Sequence, residues 1–501
     1  MEKTFEGIRA LDTKRIFVLG NGFDLAHYLP TAYVHFMEAM TVIESNEASG
    51  ELGFDDLFQK YLLGECSDRD KDFFQKTKNL YDTNNLKLSA EIIENLQHKI
   101  KSNGWFQYFK HHLTDVDTWI DFETEIEKSL ISFDVIFNID FNTSTILDNL
   151  NSAYPSVEPS VNVESILKNE KVFNWRLFDQ VGLKAKNFIS LLKNFGILKR
   201  VYGHVIYEKE NRTGRHSVYT RQDSERLTLK DYEVLEEYRE RQINEYTTQT
   251  NLKRSFDNII EVSYLNRNSN VYTSFKGIEV YKKILKDLDL FSEIFTSYIN
   301  LVINQLKPVR SFNSFGDLRK EIDAVHTFNY SNTFERLYPK ILDDQLNQIE
   351  VEYIHGSAER KNIVLGISDL DEEQLKKYKV YGFVKTFQKI VNNTDYMFLD
   401  NTDVKLINKP SIDYLLQNDY EIIIWGHSLD SSDAEYIREM FSLNSENLLN
   451  RVVIKVWYHQ SQHMSLANLM HIMGKDIIQE WIKKGWLVFE PAPDIYKENH
   501  R

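Results

Sequence analysis

RIFVLGNGFD (residues 15–24) and IIIWGHSLDSSD (residues 422–433) decide the fold. Each is a run of apolar, mostly β-branched residues that breaks into glycine and small polar residues and then into a helix-like segment. That is the pattern of a buried parallel strand feeding a phosphate- or ribose-binding loop. Roughly four hundred residues separate the two strings. As neighbours in one sheet, they would build a nucleotide pocket from the two ends of the chain, with something large inserted between.

Outward from the first string, residues 15–19 predict a strand. Gly20, Asn21 and Gly22 turn the chain, Asp24 to Tyr28 predict a short helical turn, and Pro30 ends it. Thr31 then caps a longer helix with an apolar stripe at Tyr33, Phe36, Met37 and Met40. From about residue 55 to 320 the helical period dominates. One exception is 204–221, which alternates on both sides of NRTG and reads as a β-hairpin carrying Arg212, Arg215 and Arg221; residues 231–246 beyond it read as a solvated helix. Short apolar strands return at 324–328, 351–355, 362–366, 421–426, 451–457 and 486–490, with helical segments between several of them. Strand–helix alternation implies parallel pairing. The expected fold is therefore α/β: a Rossmann-like, mostly parallel sheet built from both chain ends, with a large, mainly α-helical insertion. Residues 1–54 and 321–501 form the sheet domain, and 55–320 form the insertion or cap.

Composition narrows the function. The chain has 501 residues, 42% of them apolar, enough for two or three structural units and a sizeable core. Gly and Pro number only 19 and 8, which favours long helices over a many-turned β fold. A net charge of −15 repels phosphate backbones, so nucleic acid is not the expected partner. Cys66 is the sole cysteine, which excludes an internal disulfide and a cysteine zinc site. Residues 1–14 lack the apolar core of a signal peptide, and no window nears the length of a membrane span. The expectation is a cytoplasmic protein with no membrane partner and no metal.

The candidate site residues leave the ends of the expected strands. Gly20 and Gly22 let a backbone approach closely, and the amides after them suit a pyrophosphate; the third glycine of the dinucleotide fingerprint is absent. Asp24 suits ribose hydroxyls or loop amides, or plain helix capping. Asn329, in TFNYSNTFE, has an amide able to hold a water or a ribose hydroxyl, or to satisfy its own loop. His355, in VEYIHGS, can take a proton at neutral pH. Gly426, Ser428 and Asp433 suit a ribose- or phosphate-contacting turn, with His427 a weaker candidate and helix capping by Ser432 or Asp433 the plain alternative. Asp121 and Glu125 share one helix face in WIDFETEIEK, usually a solvated one, and Lys385 and Gln388 lie near the sheet in FVKTFQKI, where Lys385 suits neutralising a phosphate or, more plainly, solvent exposure.

Taken in order, GNGFDLAHYLPTAY, TFNYSNTFE, YIHGS and GHSLDSSD resemble the AbiH family of bacterial abortive-infection proteins, which is distantly similar to sirtuin-like NAD-consuming effectors of phage defence. The match covers residues 15–36 and about 320–460. The resemblance implies a Rossmann-like sheet with a pocket for NAD, the substrate of a hydrolysis to nicotinamide and ADP-ribose. It puts the reacting Asn and His of sirtuin-like enzymes on Asn329 and His355, and the ribose-contacting segment on the GHSL turn. It also implies a phage-derived trigger and a homo-oligomer or a partner protein of a defence system. One cysteine cannot supply the four-cysteine module of deacylating sirtuins, so protein deacylation is not implied. The alternative is a non-catalytic sensor or assembly subunit that binds NAD, ADP-ribose or a signalling nucleotide.

Overall fold

A computed structural model describes residues 13–47, 50–64, 66–111, 118–137, 185–208, 249–268, 271–313, 322–339, 349, 351–368, 380–396, 398–399, 419–444 and 452–500. Six strands form one all-parallel sheet: β1 (Thr13–Leu19), β2 (Ala324–Thr327), β3 (Val351–Tyr353), β4 (Asp419–Trp425), β5 (Val452–Tyr458) and β6 (Leu487–Pro491). Their order is β3-β2-β1-β4-β5-β6. This is the strand order of dinucleotide-binding α/β proteins, with its reversal between β1 and β4. Ile16 lies opposite Ala324 on one side and Ile422 on the other; Ile422 pairs with Ile454, and Ile454 with Leu487.

The strands read as continuous apolar runs because both faces are covered. The principal helices are α1 (Asn21–Ala26), α2 (Tyr33–Ser45), α3 (Trp119–Phe137), α4 (Gly277–Leu301), α5 (Lys385–Val391), α6 (Ala434–Ser442), α7 (His463–Met473) and α8 (Lys475–Lys484). Phe17, Leu19, Ile423 and Trp425 face the helical segment that follows α1 and join one core with Phe36, Phe122, Phe291 and Phe295. Ile16, Val18, Ile422 and Ile424 point the other way, against Ile437, Leu469, Ile478 and Trp481 of α6 to α8. Aromatic contacts lock the first layer. Phe122 stacks on Phe291 at 5.0 Å, and Trp119 meets Phe295 at 4.5 Å. A fully buried ring such as Phe122, Phe291 or Phe295 stabilises by roughly 1.5–3 kcal/mol. The helices between β1 and β2 thus form one face of the sheet's own core.

Four local expectations change. The helix after Gly20 starts at Asn21, not Asp24. Ala32, not Thr31, precedes α2, and the Thr31 hydroxyl is buried without a protein partner. Residues 362–366 are extended but outside the sheet: Gln388 takes a neighbouring strand's place, accepting from Leu365 N at 3.0 Å and donating to Leu365 O at 2.8 Å. Leu198–Glu208 pairs antiparallel with Gln249–Ile260, so residues 204–208 of the expected hairpin meet 249–253. The rest of that hairpin, with Arg212, Arg215 and Arg221, and the expected helix at 231–246 lie outside the described residues. Among the described residues no helix is long and apolar enough to cross a membrane.

Candidate functional site

The sheet's C-terminal edge gathers polar residues from four loops. At the switch point, the turns after β1 and β4 lie against each other. Gly20 N donates to Trp425 O at 3.0 Å, and Gly22 N donates to Gly426 O at 2.8 Å. A Cβ on Gly20 would come within 2.5 Å of His427 Cα, and one on Gly22 within 2.7 Å of Gly426 Cα. Gly426 has φ +74°, and its Cβ would fall 2.1 Å from Phe23 N. Close approach of one loop to the other accounts for all three glycines.

A first cluster forms around Asp24, which is 1% exposed. It is the fourth residue of α1 and caps nothing. Its Oδ1 accepts from Asn329 Nδ2 at 3.0 Å, and its Oδ2 accepts from Ser331 Oγ at 2.5 Å. Burial pushes the carboxyl up to about 6, against the opposing pull of the Ser331 and Thr333 hydroxyls. Asn329 is fixed from its own backbone too, its N–H donating to Thr327 Oγ1 at 3.0 Å. Its Oδ1 is buried with no protein partner. Asn329, Thr31, Asn21, Asp24, Ser331 and the rings of Trp119, Phe328 and Tyr330 are among the residues lining a cavity of about 30 Å³. That is room for one or two waters, with orphan oxygens to hold them.

A second cluster forms around Asp433. His355 Nε2 stands 3.2 Å from Asp433 Oδ1, out of line for a hydrogen bond. His427 Nε2 stands 3.4 Å from Asp433 Oδ2. The Leu429 N–H donates to His427 Nδ1 at 3.0 Å, so the ring hydrogen is on Nε2, facing Asp433. Lys385 Nζ lies 4.0 Å from Asp433 and 2.7 Å from Glu123 Oε1. Burial brings His355 down to about 4, leaving it neutral at pH 7. Burial would raise Asp433, but Lys385 and His355 outweigh it and hold this carboxyl well below the usual range. Burial also pushes Glu123 up to about 7, opposed by Lys385 and reinforced by Asp433.

The Phe328 and Tyr330 rings border both clusters. They line the cavity and lie 5.1 Å and 6.5 Å from the His355 ring. The structure therefore joins Asn21, Asp24 and Asn329 in one group and His355 and Asp433 in another beside it. Ser428 is exposed; its carbonyl accepts from Asn468 Nδ2 at 3.0 Å, and among the described residues its side chain joins neither cluster. Asp121 caps Thr118 on the surface, and Glu125 accepts from Tyr108 OH at 2.6 Å. Sequence reasoning missed Ser331 and Glu123. Ser331 follows Asn329 by two residues, across a bend at Tyr330 and Ser331. Glu123 sits between the two acids singled out in WIDFETEIEK, two residues from each and so on another helix face. Among the described residues no group of three His, Cys, Asp or Glu side chains could hold a metal ion.

The family described as bacteriophage abortive infection AbiH matches the chain over residues 16–455. No curated protein and no solved structure matches it.

Proposed function

Since the chain belongs to the AbiH family of bacteriophage abortive infection, we propose that it acts against phage by hydrolysing NAD to nicotinamide and ADP-ribose. The observation that carries this reading is the pairing at the sheet edge. Asn329 and His355 leave adjacent strands, and each is met by a buried carboxylate from the switch-point segments, Asp24 after β1 for one and Asp433 after β4 for the other. Dinucleotides bind at this edge in sheets of this order.

The chemistry follows from the two clusters. The bond from ribose C1′ to nicotinamide breaks, its electron pair leaves with the ring, and nicotinamide departs neutral. A water adds to C1′ and loses one proton. Asn329 and Asp24 would hold that water in the small cavity, and Asp24, near 6, is matched to receiving its proton. Neutral His355, beside Asp433, would accept a hydrogen bond from a ribose hydroxyl and favour the developing cation. A cavity of about 30 Å³ is far smaller than a dinucleotide needs, so the site described here is shut. Phe328 and Tyr330 must move before substrate can span both clusters. A shut resting site suits an effector that waits for a phage-derived trigger, with a second copy or a partner protein completing the active form.

The test is nicotinamide release from NAD by the purified, triggered protein. Asn329→Ala, His355→Ala and Asp433→Asn should each slow it by about 10²–10⁴-fold. Rates equal to wild type would remove the assignment. A second reading, nucleotide sensing without turnover, is favoured by one observation: His355 and Asp433 are out of line for the hydrogen bond that would orient a catalytic imidazole. Calorimetric binding of ADP-ribose or NAD with no product by mass spectrometry would select it.

A further inference from the structure

Lys385 is only 3% exposed, and the partner at hydrogen-bonding distance comes from another helix. Glu123 belongs to α3, whose first residue, Trp119, lines the small cavity one helical turn away. A single helix end therefore closes both clusters. The pairing is also lopsided. Glu123 Oε1 meets Lys385, while Glu123 Oε2 is buried without a partner. Two carboxylates, Glu123 and Asp433, share one ammonium, and Asp433 has His355 and His427 besides. A buried carboxylate with one oxygen unanswered keeps its desolvation cost. The Lys385 ion pair is thus the contact that holds Glu123 in the cluster.

We propose that Lys385 is an anion-binding residue for a phosphoryl group, and that Glu123 occupies it as a built-in carboxylate stand-in while the site is shut. An ammonium donates up to three hydrogen bonds, and a phosphoryl group offers several acceptor oxygens where Glu123 offers one. Withdrawal of the first turn of α3 frees the cation and enlarges the cavity in one movement. The inference rests on the NAD reading for the owner of the anion, a dinucleotide pyrophosphate, but not for the anion itself.

Sulfate is the probe, because its charge does not change between about pH 6 and 8. Calorimetry on the full chain should show Glu123→Gln binding sulfate on the order of tenfold more tightly than wild type. Adding Lys385→Met to Glu123→Gln should abolish the gain. The titratable groups facing Glu123 are Lys385, Asp433, Asp430 and Tyr330, with His355, His427 and Lys389 beyond them. His355, near 4, and Asp433, lower still, keep their charge states in this range. Glu123, near 7, loses its charge as pH falls, so wild type should bind sulfate more tightly at pH 6 than at 8. A folded Glu123→Gln protein equal to wild type, or a gain that survives Lys385→Met, overturns the proposal. If Glu123→Gln does not fold, a wild-type affinity independent of pH overturns it. Sulfate binding as expected without nicotinamide release keeps the anion site and removes NAD hydrolysis; nicotinamide release with no sulfate gain does the reverse.

Discussion

Gly426 carries more constraint than any polar residue around it. Its positive φ suits glycine, and Phe23 N occupies the space a methyl group would need. Gly426→Ala should therefore cost about 3 kcal/mol or more, read as a lowered urea midpoint. An unchanged midpoint would mean that the two turns need not touch. The sequence marks such glycines as places of close approach without saying what approaches. GNGFD was legible as a turn needing bare backbone, but the neighbour is the loop at 426–427, about four hundred residues downstream. Asp24, Asn329, His355 and Asp433 were legible singly, from their places after strands. Their partners were not: Asp24 with Ser331 and Glu123 with Lys385 are long-range pairs that no local spacing encodes.

Elements were easier to read than contacts, because periodicity is local. Strands β1, β2, β4, β5 and β6 fall within two residues of the runs that predict them, since a strand buried on both faces must be apolar throughout. NIVLG at 362–366 has the same composition and joins no sheet. One side chain makes the difference. Gln388 supplies the donor and acceptor that Leu365 would otherwise find on a neighbouring strand, and it also donates to Gly382 O at 2.7 Å. Gln388→Ala should leave these part-buried backbone groups unanswered, at a cost of about 2 kcal/mol by chemical denaturation. Loss of less than a few tenths would show that water replaces the amide freely. At the other end of the site, α3 is the element that reaches both clusters through Trp119 and Glu123, so sheet and helical layer meet chemically as well as sterically.

Across the whole molecule, buried ionisable groups set the response to acid. His27, His35 and His355 are each brought down to about 4, chiefly by burial, so they fold neutral. The unfolded chain binds these protons near pH 6.5, and stability is lost as pH falls through that value toward 4. Asp24 and Glu123, pushed up to about 6 and 7, act oppositely and return part of the loss, because the folded form takes up their protons first. From these five groups the net change from pH 7 to 5 should be a loss of about 2 kcal/mol, measurable by urea denaturation at the two pH values. A gain would contradict the neutral histidines. The strand order has a further consequence for the timing of synthesis. β1 leaves the ribosome early, yet its neighbour β4 and the Asp433 loop follow about four hundred residues later. A nascent or prematurely ended polypeptide holds one wall of the crevice without the other and exposes an unpaired apolar edge to chaperones and proteases. Every unfinished copy therefore lacks one side of the candidate site by topology alone.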